Sequence, residues 1–150
     1  MRVVIQRVRS AGVAIAGRTT AEIGPGLVVL VGIEPADASS DSEWLAQKIS
    51  RLRLFPDDSG LMNQSVADAG GDVLVISQFT LHASTQKGTR PSFHAAARPD
   101  IARPLYEDFV ARVSAATGRP AATGEFGAMM AITLVNDGPV TLIVDSKRRE

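Results

Sequence analysis

MMAITLVNDGPVTLIV, residues 129–144, consists of two apolar runs separated by a short polar segment. The runs Met129–Val135 and Val140–Val144 predict two strands. Asp137-Gly138 between apolar strands is a strong signal for a hairpin turn. A second interpretation exists, because Pro139 has no N–H and leaves a sheet carbonyl without a partner, while Gly138 lets another molecule approach the backbone closely. The segment is therefore either a turn or a place that presents backbone oxygens to a ligand.

The rest of the chain shows more strands than helices. Alternation of apolar and polar residues predicts an antiparallel meander, with strands at Arg2–Val8, Gly12–Ala16, Thr19–Ile23 and Leu27–Ile33. Further strands are expected at Val73–Thr80, Ala121–Phe126, Ala128–Val135 and Val140–Asp145. Two helices are too few for alternating βαβ units. The sequence thus predicts an α/β fold with mixed, largely antiparallel β layers and two helices packed on one side.

Both helices have boundary signals. Ser40 and Glu43 form the pattern of a capping box, which places the start of the first helix near Ser40. The second helix is expected from about Pro99 to Ala116, because proline suits the first turn and Gly118 ends the pattern. Leu105, Phe109, Val110 and Val113 are predicted to form its buried stripe.

Composition limits the class of protein. The 150 residues fit one domain, 1–150, with residues 146–150 as a frayed polar tail. With 16 basic and 16 acidic residues the net charge is zero, which argues against a protein that grips long nucleic acids. No cysteine is present, and two histidines with scattered carboxylates show no ligand spacing, so neither a metal nor a cofactor is expected. The sequence shows no signal peptide or membrane span, which makes the cytoplasm the default location.

A second polar motif follows an apolar run. Val73–Ile76 predicts a strand buried on both faces, and Ser77-Gln78-Phe79-Thr80 comes directly after it. Three hydrogen-bonding side chains at a buried strand end indicate a site, since buried polar groups need partners. A Ser/Thr-rich strand end without function is the alternative.

The two motifs together resemble the D-aminoacyl-tRNA deacylase family, which is marked by Ser-Gln-Phe-Thr and by Asn-x-Gly-Pro-x-Thr near the C-terminus. They stand here as Ser77–Thr80 and Asn136–Thr141. The resemblance runs from about residue 1 to residue 145 and includes Ile5–Val8, Gly71–Val75 and Lys87–Phe93. It implies a curled, barrel-like β structure, a homodimer, and hydrolysis of the ester between a D-amino acid and the 3′ end of tRNA. It also implies chiral proofreading.

The first motif has two roles in our main hypothesis, and the resemblance implies the role of the second. The Ser77-Gln78-Phe79-Thr80 segment is expected to supply backbone N–H groups as an oxyanion hole and side chains that orient ribose and water. Gly138 and Pro139, joined by a cis bond, are expected to enter the partner's site and exclude L-amino acids with their carbonyls. The remaining substrate-binding residues are Arg7, which would hold those carbonyls, Asn136 of the same motif, and Phe126 and Met130, which would line the adenosine pocket. Ordinary surface or core positions are the alternatives for Arg7, Phe126 and Met130.

Other mechanisms and functions stay open. Thr80 or Ser77 as a covalent nucleophile needs a nearby base, and His82 and His94 belong to no recognisable nucleophile motif. A non-catalytic module that binds nucleic-acid ends, or a small-molecule esterase or amide hydrolase, would also use a polar pocket. The loop His82–Arg98 is long enough to be functional. In it, Lys87 and Arg90 are expected to meet phosphates, and Phe93 to anchor the loop in the core.

Overall fold

A computed structural model describes residues 1–149 of the chain. Eight strands and two α-helices follow the order β1, β2, β3, α1, β4, β5, β6, α2, β7, β8. The strands are Arg2–Ile15, Arg18–Ile23, Gly26–Gly32, Phe55–Pro56, Met62–Gln64, Asp72–Ser77, Ala122–Thr123 and Met130–Asp145. The helices are Ser39–Arg51 and Pro99–Thr117, and a single 3₁₀ turn, Phe79–His82, follows β6.

Six strands form one curled, mixed sheet. β1 pairs antiparallel with β2, β3 and β8, whereas β3, β6 and β7 run parallel to one another. β4 and β5 form a separate hairpin. The predicted class, a mixed and largely antiparallel α/β fold with two helices, is confirmed. The predicted meander is wrong in two respects: its first two strands are one continuous strand, β1, and β3 pairs with β1 rather than with β2.

The sheet divides the apolar interior into two cores. On one face, Val29, Val31 and Val75 pack against Ile49 of α1 and Phe109 of α2. The other face encloses a second core, built from buried residues Val8, Ala11, Val13, Ile23, Val28, Leu74 and Ile76. Burial of apolar side chains on both faces explains why β3 and β6 read as continuous apolar runs.

β8 passes from one core to the other. Its residues Val140, Leu142 and Val144 pack against the core under the helices, whereas Met130, Ile132 and Leu134 pack against the second core. β1 does the same, since Val3 and Ile5 belong to the first core and Val8, Ala11 and Val13 to the second. Strands that change layer in this way need an irregularity in their pairing.

That irregularity is the Asn-Asp-Gly-Pro segment. Gln6 pairs with Thr141 and Val8 with Asn136, so four residues of β8, 137–140, lie opposite the single residue Arg7. The surplus residues leave the ladder as a segment that we call the 137–140 bulge, in which Gly138 and Pro139 are exposed and Asp137 and Val140 are partly buried. The hairpin interpretation is therefore wrong, and so is the prediction of two separate C-terminal strands. β1 is long enough to pair along both sides of the bulge.

The helices begin and end close to their predicted limits. α2 starts at Pro99 and ends at Thr117, where Gly118 adopts a left-handed conformation with φ 73°. Its buried residues are Ala102, Tyr106, Phe109, Val113 and Thr117, whereas Leu105 and Val110 are only partly buried. α1 starts one residue earlier than predicted, and the carboxylate that caps it belongs to Asp41, which accepts a hydrogen bond of 2.9 Å from the Ala38 N–H.

The C-terminal segment 146–149, predicted to be frayed, packs against the body of the protein. Ser146 is buried and accepts a hydrogen bond of 2.9 Å from the Met1 amine. The Lys147 ammonium lies 2.8 Å from Asp41, and the Arg149 guanidinium lies 4.8 Å from the centre of the Trp44 ring. Alternating patterns cannot reveal such contacts, because each involves residues more than a hundred positions apart.

Candidate functional site

A cavity of about 670 Å³ opens where β6 ends. Its walls come from the ends of β3 and β6, the start of α2, the loop before α2 and the segment that leads into β8. Five of the predicted site residues line it, namely Ser77, Gln78, Phe79, Phe126 and Met130. Folding therefore brings together residues about 50 positions apart that the sequence singled out separately.

The Ser77–Thr80 segment turns sharply at this cavity. Ser77 is the last residue of β6, the Gln78 N–H donates to the Val31 carbonyl at 2.7 Å, and the 3₁₀ turn then begins at Phe79. The Gln78 amide donates to the Thr80 hydroxyl. Within residues 1–149 no acceptor is found for the N–H groups of Phe79 and Thr80. The first N–H groups of a helical turn lack internal partners, so these two can bind an outside oxygen.

The approach of this turn to the sheet depends on Gly32. A Cβ at Gly32 would lie 2.9 Å from the Leu81 Cβ and 3.1 Å from the Gln78 carbonyl oxygen. Real Cβ atoms essentially never lie within 3.0 Å of another heavy atom, so a side chain at residue 32 would push the turn away from the end of β3. Sequence analysis missed this residue, since an isolated glycine at a strand end carries no distinctive pattern.

Phe126, which also lines the cavity, contacts two residues of α2 that sequence analysis missed as well. The Tyr106 ring lies 5.7 Å from the Phe126 ring, and the Arg103 guanidinium lies 4.9 Å from its centre. The Tyr106 hydroxyl donates to the Val75 carbonyl at 3.0 Å, and burial raises the pKa of Tyr106 to about 12. Arg103 and Tyr106 are three positions apart on one helix face, the spacing that could have identified them.

The side chains needed to activate a hydroxyl nucleophile are absent from the described part of the site. No carboxylate or imidazole within residues 1–149 hydrogen-bonds to Ser77 or Thr80. His82 is buried at the end of the 3₁₀ turn with its Nε2 unpartnered, and His94 is exposed. The chemistry that this arrangement supports is therefore binding and polarisation of a carbonyl by backbone N–H groups.

The 137–140 bulge is tied down from both sides. The Arg7 side chain, 12% exposed, donates from Nε to the Asp137 carbonyl at 3.0 Å and from a terminal nitrogen to the Leu54 carbonyl. The Asn136 amide donates to the carbonyl of Arg7 at 2.9 Å and to that of Val140 at 3.4 Å. The Arg7 side chain is therefore largely buried rather than a surface arginine, and it bonds to the carbonyl of Asp137, the residue before Gly138.

Gly138 and Pro139 are exposed and are joined by a cis peptide bond. Residues 136–140 do not line the cavity of their own chain. The structure thus places one predicted group, Ser77 to Phe79 with Phe126 and Met130, in a cavity, and the other group, Arg7, Asn136, Gly138 and Pro139, at a separate protrusion.

The loop before α2 borders the cavity. It is closed by two backbone hydrogen bonds between Ser84 and Ser92, at 2.8 and 2.9 Å. Phe93 is 40% exposed and lies against Phe79, with ring centres 5.2 Å apart, so the prediction that Phe93 anchors the loop in the core is wrong. Lys87 and Arg90 are exposed.

Known proteins are similar to this chain in sequence and in fold. The family model for D-Tyr-tRNA(Tyr) deacylase matches residues 4–145. A D-aminoacyl-tRNA deacylase of Opitutus terrae is 61% identical over 150 residues and all of both chains, and one of Dechloromonas aromatica is 57% identical over 147 residues and 98% of each chain.

Two solved structures also match the fold. A protein described as c-Myc DNA Unwinding Element Binding Protein has a TM-score of 0.90 and 36% identity, covering 97% of this chain and 98% of that chain. A probable eukaryotic D-amino acid tRNA deacylase shares the fold with a TM-score of 0.80 at 18% identity, covering 95% and 97% of the two chains. Because the family model spans nearly the whole length and two relatives exceed half identity over almost all of both chains, the chain belongs to the D-Tyr-tRNA(Tyr) deacylase family.

Proposed function

We propose that this protein hydrolyses the ester that links a D-amino acid to the terminal ribose of tRNA, and thereby removes D-amino acids from mischarged tRNA. Membership of the family makes the chain an ester hydrolase of the D-aminoacyl-tRNA deacylase class. The single observation that carries the proposal is the cavity in which Ser77, Gln78 and Phe79 face Phe126 and Met130. We further propose that it acts in the cytoplasm, where charged tRNA is used. No helix within residues 1–149 is long and apolar enough to cross a membrane.

The unpaired N–H groups of Phe79 and Thr80 are the proposed oxyanion hole. The ester carbonyl lies against them, and negative charge develops on its oxygen as water attacks the carbon. The water oxygen forms the new C–O bond, the bond to the ribose oxygen breaks, and the proton passes to that ribose oxygen, assisted by the neighbouring 2′-hydroxyl. Ser77 and Gln78 orient the ribose and the water, while Phe126 and Met130 enclose the adenine. Orientation of an already activated ester supplies much of the acceleration.

Selection between D and L forms is assigned to a second copy of the chain. The 137–140 bulge of one subunit enters the cavity of the other, where the Gly138 and Pro139 carbonyls accept hydrogen bonds from the substrate ammonium and occupy the space of an L side chain. Two features support this arrangement: Gly138 and Pro139 are exposed, and the bulge lies outside the cavity of its own chain. Arg7 and Asn136 position it through the carbonyls of Asp137 and Val140.

Contacts with the tRNA beyond its last nucleotide are assigned to the loop before α2. Lys87 and Arg90 are exposed there and have no ion-pair partner within residues 1–149. Each is free to neutralise a phosphate of the incoming strand.

The decisive experiment compares D-tyrosyl-tRNA with L-tyrosyl-tRNA in a deacylation assay. Strong turnover confined to the D form is expected. Binding of both without turnover would instead identify a non-catalytic module for nucleic-acid ends, a second candidate favoured by the similarity to a protein described as binding a DNA element. Equal turnover of both forms, or of small esters alone, would identify an ordinary esterase.

A third substrate, glycyl-tRNA, tests how the enantiomers are separated. Glycine has no side chain for the Gly138 and Pro139 carbonyls to exclude. Measurable hydrolysis of glycyl-tRNA is therefore expected, including that of glycine mischarged on tRNA(Ala). Resistance of glycyl-tRNA alongside rapid cleavage of D-tyrosyl-tRNA would contradict selection by exclusion.

A further inference from the structure

Two exposed aromatic rings meet at the mouth of the cavity. The side chain of Phe79 is 56% exposed and that of Phe93 is 40% exposed, and both line the cavity. Their rings pack edge to face, with centres 5.2 Å apart and planes inclined by 74°. Tyr106, Phe55 and Phe109 are buried and Trp44 and Phe126 are partly buried, so Phe79 and Phe93 are the exposed rings within residues 1–149. Exposed apolar rings at a binding site commonly contact a ligand.

The ring of Phe93 is held in place by its backbone. Ser92 is bonded to Ser84 on one side, and the Phe93 carbonyl accepts a hydrogen bond of 3.0 Å from the Ala96 N–H on the other. Phe79 is the first residue of the 3₁₀ turn that also borders the cavity. The pair therefore forms a preorganised surface, and binding to it costs little loss of conformational freedom.

Charge around the pair favours a polyanion. The loop before α2 contains Lys87 and Arg90, which are exposed and have no ion-pair partner within residues 1–149, whereas Arg98 lies 3.6 Å from the Asp100 carboxylate. Arg98 also lines the cavity. A strand of RNA that leaves the cavity along this side meets positive charge together with exposed rings, the combination that proteins use to bind single strands.

We propose that Phe79 and Phe93 stack the penultimate base of the tRNA, the cytidine that precedes the terminal adenosine. This inference rests on the proposed function and adds to it the position of a second nucleotide. Phe126 and Met130 line the part of the cavity assigned to adenosine, and a strand that leaves the cavity on the side of Phe79 and Phe93 passes over their exposed rings. Stacking on an aromatic ring tolerates any base, so the platform strengthens binding without reading tRNA identity.

The test uses three substrates that carry the same D-tyrosyl ester. The first is adenosine alone, the second is the dinucleotide cytidylyl-adenosine, and the third is that dinucleotide without its cytosine base. Wild-type protein is expected to cleave the second with about tenfold higher kcat/KM than the third, because one stacked base contributes a factor of this order. The third substrate keeps the phosphate, so the ratio isolates the base from contacts of Lys87 and Arg90.

Phe93→Ala is expected to reduce this ratio to about one, mainly through KM, while the adenosine ester is cleaved as by wild type. Phe93→Tyr keeps an aromatic ring and should retain the ratio, and circular dichroism of both variants controls for folding. A ratio of one in active wild-type protein, an unchanged ratio in Phe93→Ala, or an equal loss on the adenosine ester would each overturn the stacking role. Absence of wild-type turnover on all three D-tyrosyl esters would overturn the proposed function itself.

Discussion

Arg7 and Asn136 show how single side chains can replace a sheet ladder. Four residues of β8 face one residue of β1, so the bulge lacks regular ladder bonds. Arg7 binds the Asp137 carbonyl, and Asn136 joins the backbones of Arg7 and Val140. The guanidinium is nearly buried and satisfied by carbonyl oxygens and by the Asp137 carboxylate at 3.2 Å. The protrusion is therefore rigid at its base and open at its tip, where Gly138 and Pro139 lie.

Gly138→Ala is expected to reduce turnover of D-tyrosyl-tRNA at least a hundredfold with little change in Tm. A Cβ at Gly138 would lie 2.1 Å from the Val140 nitrogen, so the bulge has to move, whereas its exposed position spares the core. Gly24→Ala is a matched control, because Gly24 also precedes a proline and a Cβ there meets nothing within 4 Å. Deacylation and thermal unfolding are measured for both variants. Undiminished turnover in Gly138→Ala would remove the bulge from the mechanism.

Thr80→Ala is expected to retain turnover within about tenfold of wild type, since removal of one orienting hydrogen bond is a modest loss beside an intact oxyanion hole. The backbone N–H of residue 80 is unchanged by this substitution. A covalent nucleophile behaves differently: Thr80→Ser would then stay active while Thr80→Ala fell to the rate of buffer alone. Single-turnover deacylation by the two variants separates the mechanisms.

Among the strands and helices, sequence patterns predicted the features that depend on residues close together in the chain. The limits of α2 follow from Pro99 and Gly118, and the burial of β6 follows from its apolar run. The turn signal of Asp137-Gly138 failed because long-range pairing with β1 outweighs it, and no local pattern shows that β1 is 14 residues long. Ser77 and Phe126 could each be predicted as a site residue, but their presence in one cavity could not, because no local pattern shows how α2 packs against Phe126.

The contact between the C-terminal segment and α1 leads to a prediction on pH. Burial of Asp41 raises its pKa, but the bonds from Lys147 and the Ala38 N–H outweigh burial and lower it to about 2. A carboxyl with a depressed folded-state pKa stabilises the protein above its unfolded-state pKa, and the stabilisation is lost as pH falls through the folded-state value. Lys147→Met is expected to lower the free energy of unfolding by about 1 kcal/mol at pH 7, a figure reduced for the partial exposure of Lys147.

The difference between Lys147→Met and wild type should shrink between about pH 4 and pH 2, as Asp41 takes up a proton. Urea unfolding at pH 7 and at pH 2.5 measures it. Lys48→Met is the control, since Lys48 lies exposed on α1, the helix that carries Asp41, and makes no ion pair within residues 1–149. If Lys147→Met lowered the free energy of unfolding equally at both pH values, or no more than Lys48→Met does, the Lys147–Asp41 pair would not contribute to stability.

In the whole molecule, the two groups of predicted site residues, those of the cavity and those of the 137–140 bulge, lie apart. The cavity and the 137–140 bulge lie in one chain, yet residues 136–140 do not line the cavity. If both serve one reaction, a symmetric pair of subunits must exchange bulges, so that each cavity is completed by its partner. Sequence resemblance predicted this exchange, and the position of the bulge is compatible with it.

Mixing two inactive variants tests the exchange directly. Gly138→Val disrupts the bulge and leaves the cavity intact, whereas Ala128→Trp fills the cavity and leaves the bulge intact. After subunit exchange at equal concentrations, half of the dimers contain one subunit of each kind, and one of their two sites combines an intact cavity with an intact bulge. Activity is therefore expected to recover to about a quarter of the wild-type value. If each bulge served its own chain, no subunit in the mixture would be intact and no activity would return. Sedimentation analysis of the mixture establishes that dimers are present, so a dimeric mixture that remained inactive after exchange would refute completion of the site by the partner.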